Sequence, residues 1–113
     1  MEKEFVPYEL ALKLKALGFD ERCLKSYGTD GLLNQNDHEM YLSAPLYQQA
    51  FRWFRENYNL YHTIDKQGYW FFQIKKDEGF GDLTEVIVTY DYNSHEEAEL
   101  HCLEKLIEIV ESK

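Results

Sequence analysis

The sequence predicts an α+β fold, an antiparallel sheet of about five strands with three helices packed on one face, in the order α-β-β-α-β-β-β-α. Three observations predict it. Apolar residues recur at helical spacing in three stretches, they alternate with a period of two in others, and glycine-containing turn signals separate the alternating stretches. A chain of 113 residues, 44% hydrophobic and 16% aromatic, holds enough apolar material for one core and too little length for two, so residues 1–113 are read as a single domain.

The first helix is expected over residues 7–17. Pro7 suits the first turn, where its missing N–H leaves no bond unmade. Leu10, Leu14 and Leu17 recur at i, i+4, i+7, and Ala11 widens the stripe. Gly18 fits the left-handed position past the helix end, with Phe19 folding back onto the last turn. Residues 22–36 read as a hairpin, with Cys23 to Tyr27 entering the turn Gly28, Thr29, Asp30, Gly31 and Leu32 and Leu33 leaving it. Asn34 to Glu39 is polar and reads as loop.

The second helix opens at Ser43, Ala44 and Pro45, with Ser43 as N-cap and Pro45 in the first turn. Its apolar face is Leu46, Tyr47, Ala50, Phe51, Trp53, Phe54 and Tyr58, opposed by Gln48, Gln49, Arg52, Arg55 and Glu56. It stops near residues 57–59, because Asn tolerates the left-handed conformation. Strands follow over 61–64, 69–75 and 84–92. In the second of them Trp70, Phe72 and Ile74 take one face and Tyr69, Phe71 and Gln73 the other; in the third, Val86, Val88, Tyr90 and Tyr92 alternate against Ile87, Thr89 and Asp91. The last helix begins with a capping box, Ser94 and Glu97, and buries Ala98, Cys102, Leu103, Leu106, Ile107 and Val110.

Charge is unevenly spread. The net charge is -9, while residues 41–76 hold 5 bases against 2 acids and residues 77–113 hold 2 bases against 11 acids. Such a chain repels a phosphate backbone at long range, and an anionic membrane surface equally, while leaving room for a local basic patch in the middle third. Two cysteines make no disulfide scaffold, no apolar run approaches bilayer-spanning length, and no apolar stretch of signal-peptide length opens the chain, so a cytoplasmic protein without membrane contact is expected.

The chemistry-bearing residues give no catalytic constellation. His95 and His101 are six apart, which turns the second ring about 240° around a helix rather than onto the face a zinc helix needs; Glu97 and His101 share a face but make only two ligands. Cys102 lies on the apolar stripe, and nothing beside Cys23 in sequence would activate it. Gly79, Phe80 and Gly81 are flanked by Asp77, Glu78 and Asp82, which would repel a phosphate. No enzymatic activity, metal or cofactor is therefore expected. Two binding surfaces remain. One is the acidic face of the last helix, Glu96, Glu97, Glu99, Glu104 and Glu108, which would attract a basic protein surface or serve only as a solvated face. The other is a patch of Arg52, Arg55, Tyr58, Tyr69 and Phe71, whose rings and cations would stack a single nucleic-acid strand or simply fill the core.

Three blocks carry a resemblance. They are Val6-Pro7-Tyr8-Glu9-Leu10-Ala11-Leu12-Lys13-Leu14-Lys15 with Leu17-Gly18-Phe19-Asp20, then Ala44-Pro45-Leu46-Tyr47-Gln48-Gln49-Ala50-Phe51-Arg52-Trp53-Phe54-Arg55-Glu56, and Glu96-Glu97-Ala98-Glu99-Leu100 with Cys102-Leu103-Glu104-Lys105-Leu106-Ile107-Glu108-Ile109-Val110. Together the chain resembles a group of small proteins of Bacteroidetes phages and prophage-like elements. The resemblance implies a phage or prophage setting and the cytoplasm of the bacterial host cell, and it supplies no mechanism. The function expected on these grounds is a non-enzymatic accessory protein contacting a host or phage protein through its acidic surface. Self-association is a second expectation, and single-stranded nucleic-acid binding the alternative.

Overall fold

The computed structural model describes residues 4–21, 23, 25–27, 33–34, 42–77 and 83–112. The fold is α+β with antiparallel pairing throughout, and its elements run α1 (Tyr8–Ala16), β1 (Lys25–Tyr27), β2 (Leu33–Asn34), β3 (Leu42–Ala44), α2 (Tyr47–Tyr58), β4 (Leu60–Gln67), β5 (Tyr69–Asp77), β6 (Leu83–Tyr92) and α3 (His95–Glu111). The strands are divided between two three-stranded sheets, ordered β2-β1-β3 and β4-β5-β6, where the sequence had suggested one larger sheet. The chain forms two compact units, residues 1–50 and 51–113, whose boundary falls within α2.

In the first unit α1 stops where Gly18 allows it to. Gly18 has φ +106°, its N–H donates to the Lys15 carbonyl at 3.0 Å, and the Phe19 N–H donates to the Leu14 carbonyl at 3.0 Å. This paired closure buries the Phe19 ring, as the sequence suggested. Pro7 sits one position earlier than expected, as the N-cap rather than in the first turn, and its carbonyl accepts from the Ala11 N–H at 2.9 Å. The expected hairpin is present, with Ser26 opposite Asn34 and Tyr27 opposite Leu33; its turn lies outside the described residues.

Ser43 is not the N-cap of α2. It pairs with Ser26 in β3, and α2 begins only at Tyr47, with the Leu46 carbonyl accepting the Ala50 N–H at 3.0 Å. The competing ladder wins because β1 offers its free edge to residues 42–44, and the chain is further held by Val6 N–H donating to the Pro45 carbonyl at 2.8 Å. The Tyr27 hydroxyl donates to the Val6 carbonyl at 2.7 Å inside this core, and its ring meets Tyr8 edge-on.

In the second unit Asn59 ends α2 at φ +56°, and its carbonyl accepts from the Asp77 N–H at 3.0 Å, tying the start of β4 to the end of β5. The β4–β5 hairpin is longer than the sequence suggested. Pairing runs unbroken from Leu60 with Lys76 to Gln67 with Tyr69 around Gly68 at φ +75°, so the expected four-residue turn is mostly strand. One face carries His62, Ile64, Phe72 and Ile74, and α3 packs across it, burying Ala98, Cys102, Leu103, Leu106 and Ile107.

β6 breaks the expected alternation. Phe72 pairs with Thr89 but Trp70 with Tyr92, and Ile74 pairs with Ile87 but Lys75 with Glu85. Each skip inserts one extra residue into β6, a bulge near Asp91, which takes φ +79°, and another at Val86. The first moves Tyr92 off the face of Val86 and Val88 and onto that of Ile87 and Thr89. There its ring stacks on Phe72 at 5.7 Å between centroids, and the Thr89 hydroxyl donates to its hydroxyl at 3.3 Å.

Candidate interaction surface

α3 presents the acidic face. The Ser94 Oγ accepts the Glu97 N–H at 3.1 Å, and the Glu97 carboxylate accepts from the Asn93 N–H at 3.4 Å, which fixes the helix start. At 100° per residue, Glu97, Glu104, Glu108 and Glu111 fall within one narrow sector opposite the buried stripe, with Glu96 at its flank. Glu99 does not join them. It lies about 140° around the helix from Glu104, half-buried beside Cys102, because positions 99, 103 and 106 share the sheet-facing side.

The stripe is tied to the core at one point. The His101 ring stacks on Tyr92 at 5.0 Å and 17°, Tyr92 stacks on Phe72, and the His101 Nδ1 lies 3.4 Å from Glu104. A second pair, Lys105 to Glu108 at 3.0 Å, is solvent-exposed, and the hydrogen bond to Glu108 pushes the lysine ammonium up from its ordinary range. Such exposed pairs add little stability. Lys105 is the single base among the charged residues of α3, which otherwise carries six glutamates.

The residues of the alternative patch do not come together. Arg52 is exposed and 3.9 Å from Glu56. Tyr58 packs its ring against Trp53 and Phe54. Tyr69 is 59% exposed, but Phe71, two residues on, is only 8% exposed and cannot offer a ring for stacking. Arg55 is one helical turn from Phe51, whose ring stacks on His62 at 3.8 Å, and His62 shares the α3-covered face of the sheet. Tyr69 and Phe71 alternate onto the opposite face.

No family model, no curated protein and no solved structure matches the chain. The chemistry therefore rests on the residues themselves. Cys102 is fully buried, and burial followed by the Glu99 charge pushes its thiol far above the ordinary range, so it packs as a small hydrophobe. Cys23 is buried with its Sγ donating to the Glu21 carbonyl at 3.4 Å. Among the described residues no three His, Cys, Asp or Glu side chains converge as metal ligands, and no helix is long and apolar enough to cross a membrane. His38 and residues 78–82 lie outside the described residues.

The grouping that sequence reading missed surrounds His62. Burial first, then the charges of Arg55 and His95, lower its pKa to about 4. Arg55 and His95 come from α2 and α3, far from His62 in the chain, and nothing in the spacing signals that their charges act on it. The signal that could have found it is the Asn59 stop, which folds β4 back along α2 and brings Phe51 over His62.

Proposed function

We propose that the protein is a non-enzymatic accessory protein of phage or prophage origin, acting in the bacterial cytoplasm by protein–protein contact through the outward face of α3. The observation that supports this most is the alignment of Glu97, Glu104, Glu108 and Glu111 in one sector of a 17-residue helix whose opposite side is fixed against a sheet. Carboxylates held on a rigid element steer a basic surface and set its register more effectively than charges on a loop. The scattering of Arg52, Arg55, Tyr58, Tyr69 and Phe71 speaks against the nucleic-acid reading.

The test is a pull-down from host lysate with immobilised wild type and a Glu104→Lys/Glu108→Lys variant, each with and without nuclease. The expected result is a discrete protein that survives nuclease, elutes with salt and is lost from the variant. Recovery that vanishes with nuclease, or that the variant retains in full, overturns the reading.

A further inference from the structure

The outer strands of the β4-β5-β6 sheet are not alike. β6 pairs with β5 through two register skips, whereas β4 pairs with β5 without a break from Leu60 to Gln67. Two hydrogen bonds fix which way the β4 main chain points. The Asp77 N–H donates to the Asn59 carbonyl at 3.0 Å, so the position just ahead of β4 is a hydrogen-bonded pair with the end of β5. The Lys66 N–H donates to the Asp65 carboxylate at 3.0 Å instead of to β5. Hydrogen-bonded and non-hydrogen-bonded pairs alternate along an antiparallel ladder. Counting from Asn59, Tyr61, Thr63 and Asp65 bond to β5, while Leu60, His62, Ile64 and Lys66 turn their N–H and C=O groups away from it. The Lys66 N–H is covered by the neighbouring carboxylate; among the described residues no strand pairs with His62 and Ile64 on that side. What covers β4 lies on its face, where α3 packs and the Phe51 ring stacks on His62. Towards the far end Thr63, Asp65, Lys66 and Gln67 are exposed.

We propose that β4 pairs antiparallel with β4 of a second copy of the chain, about a two-fold axis at Thr63 or Ile64, joining the two sheets into one of six strands. Facing side chains of an antiparallel ladder share one side of the sheet, so a two-fold axis perpendicular to it passes beside a residue that faces itself. With Thr63 at the axis, Asp65 faces Tyr61 of the second copy; with Ile64 there, Asp65 faces Thr63 of the second copy. In both registers the carboxylate meets a hydroxyl donor and releases the Lys66 N–H to the new strand. Registers centred on Asp65 or Lys66 set like charges opposite one another. A register centred on His62 leaves Asp65 opposite Asn59, ahead of the strand. A second copy of β4 fits this edge better than β6 does, because the bulges at Val86 and near Asp91 throw the outer groups of β6 out of step. With one usable edge per chain, the assembly is isologous and closes at two. α3 then lies on the same side of both halves, and the dimer shows two acidic stripes on one face. No residue of α3 takes part in the pairing, so the interface is independent of the protein-contact reading.

The experiment follows amide hydrogen exchange of the full chain by NMR, beside analytical ultracentrifugation, at protein concentrations from about 10 μM to about 1 mM. The expected result is a monomer that becomes a dimer over this range, with exchange at His62 and Ile64 slowed about tenfold or more in the dimer. The Thr63 and Asp65 amides, already bonded to β5 in the single chain, are protected throughout. Thr63→Asp sets like charges opposite one another in both registers and weakens association about fivefold or more. Thr63 is exposed, so the variant keeps the fold of the single chain; were it not to fold, the exchange pattern of the wild type still decides. A chain that stays monomeric to about 1 mM, a dimer whose His62 and Ile64 amides exchange as fast as in the monomer, or a dimer that Thr63→Asp leaves unchanged overturns the proposal.

Discussion

His62 makes the stability of the protein depend on pH in a calculable direction. Its pKa is lowered from 6.5 to about 4 in the folded chain, by burial first and then by Arg55 and His95. Above 6.5 the imidazole is neutral in both folded and unfolded states and contributes nothing. As the pH falls below 6.5 the unfolded chain takes up a proton that the folded chain refuses, so stability drains away until about pH 4, by about 3 kcal/mol in all. His62→Phe keeps a ring against Phe51 and removes the titration. Urea unfolding at about pH 7.5 and about pH 4.5 should show the wild type losing some 2–3 kcal/mol more than the variant over that interval. Equal losses in the two proteins would mean that the imidazole is as well solvated in the folded state as in the unfolded one.

At the scale of the element, α3 is fixed from both ends of its physics. Its buried side is continuous, with Ala98, Cys102, Leu103, Leu106 and Ile107 all at most 1% exposed, and its start is held by Ser94. Ser94→Ala removes the acceptor of the Glu97 N–H and should lower stability by about 1 kcal/mol, read as a shift in the urea midpoint with the slope unchanged. The helices were legible because their signals are local. Gly18, Asn59 and the Ser94–Glu97 pair each act within one turn of where they stand in sequence. The strands were legible in kind but not in pairing. Ser43, Ala44 and Pro45 carry a good helix-start pattern, and only the free edge of β1 decides for a strand. Tyr92 was assigned to the wrong face because a single extra residue near Asp91 reverses the alternation, and no local pattern marks it. For the candidate site the same division holds. The acidic stripe follows from helical periodicity, while the burial of His62 under the Phe51 ring depends on the packing of β4 against α2.

For the whole molecule, where the charge lies matters more than how much there is. Glu104→Lys/Glu108→Lys and Glu4→Lys/Glu9→Lys change the net charge equally, but only the first pair lies on α3, and Glu4 and Glu9 are exposed in the first unit. Binding to a soluble polylysine, followed by fluorescence anisotropy, should weaken several-fold more in the α3 variant, and the difference should shrink as salt shortens the screening length to about 3 Å near 1 M. Equal weakening would assign the attraction to the overall field rather than to the stripe. The sheet raises a separate question of sociability. β6 is an outer strand, ten residues long, with a valine 44% exposed, the profile of a template on which further chains could add and polymerise. Its two irregularities interrupt that template, because each throws the row of main-chain donors and acceptors out of step and twists the strand away from a flat approach. The residue that misdirected Tyr92 in the sequence thus also makes this border a poorer template for fibre growth.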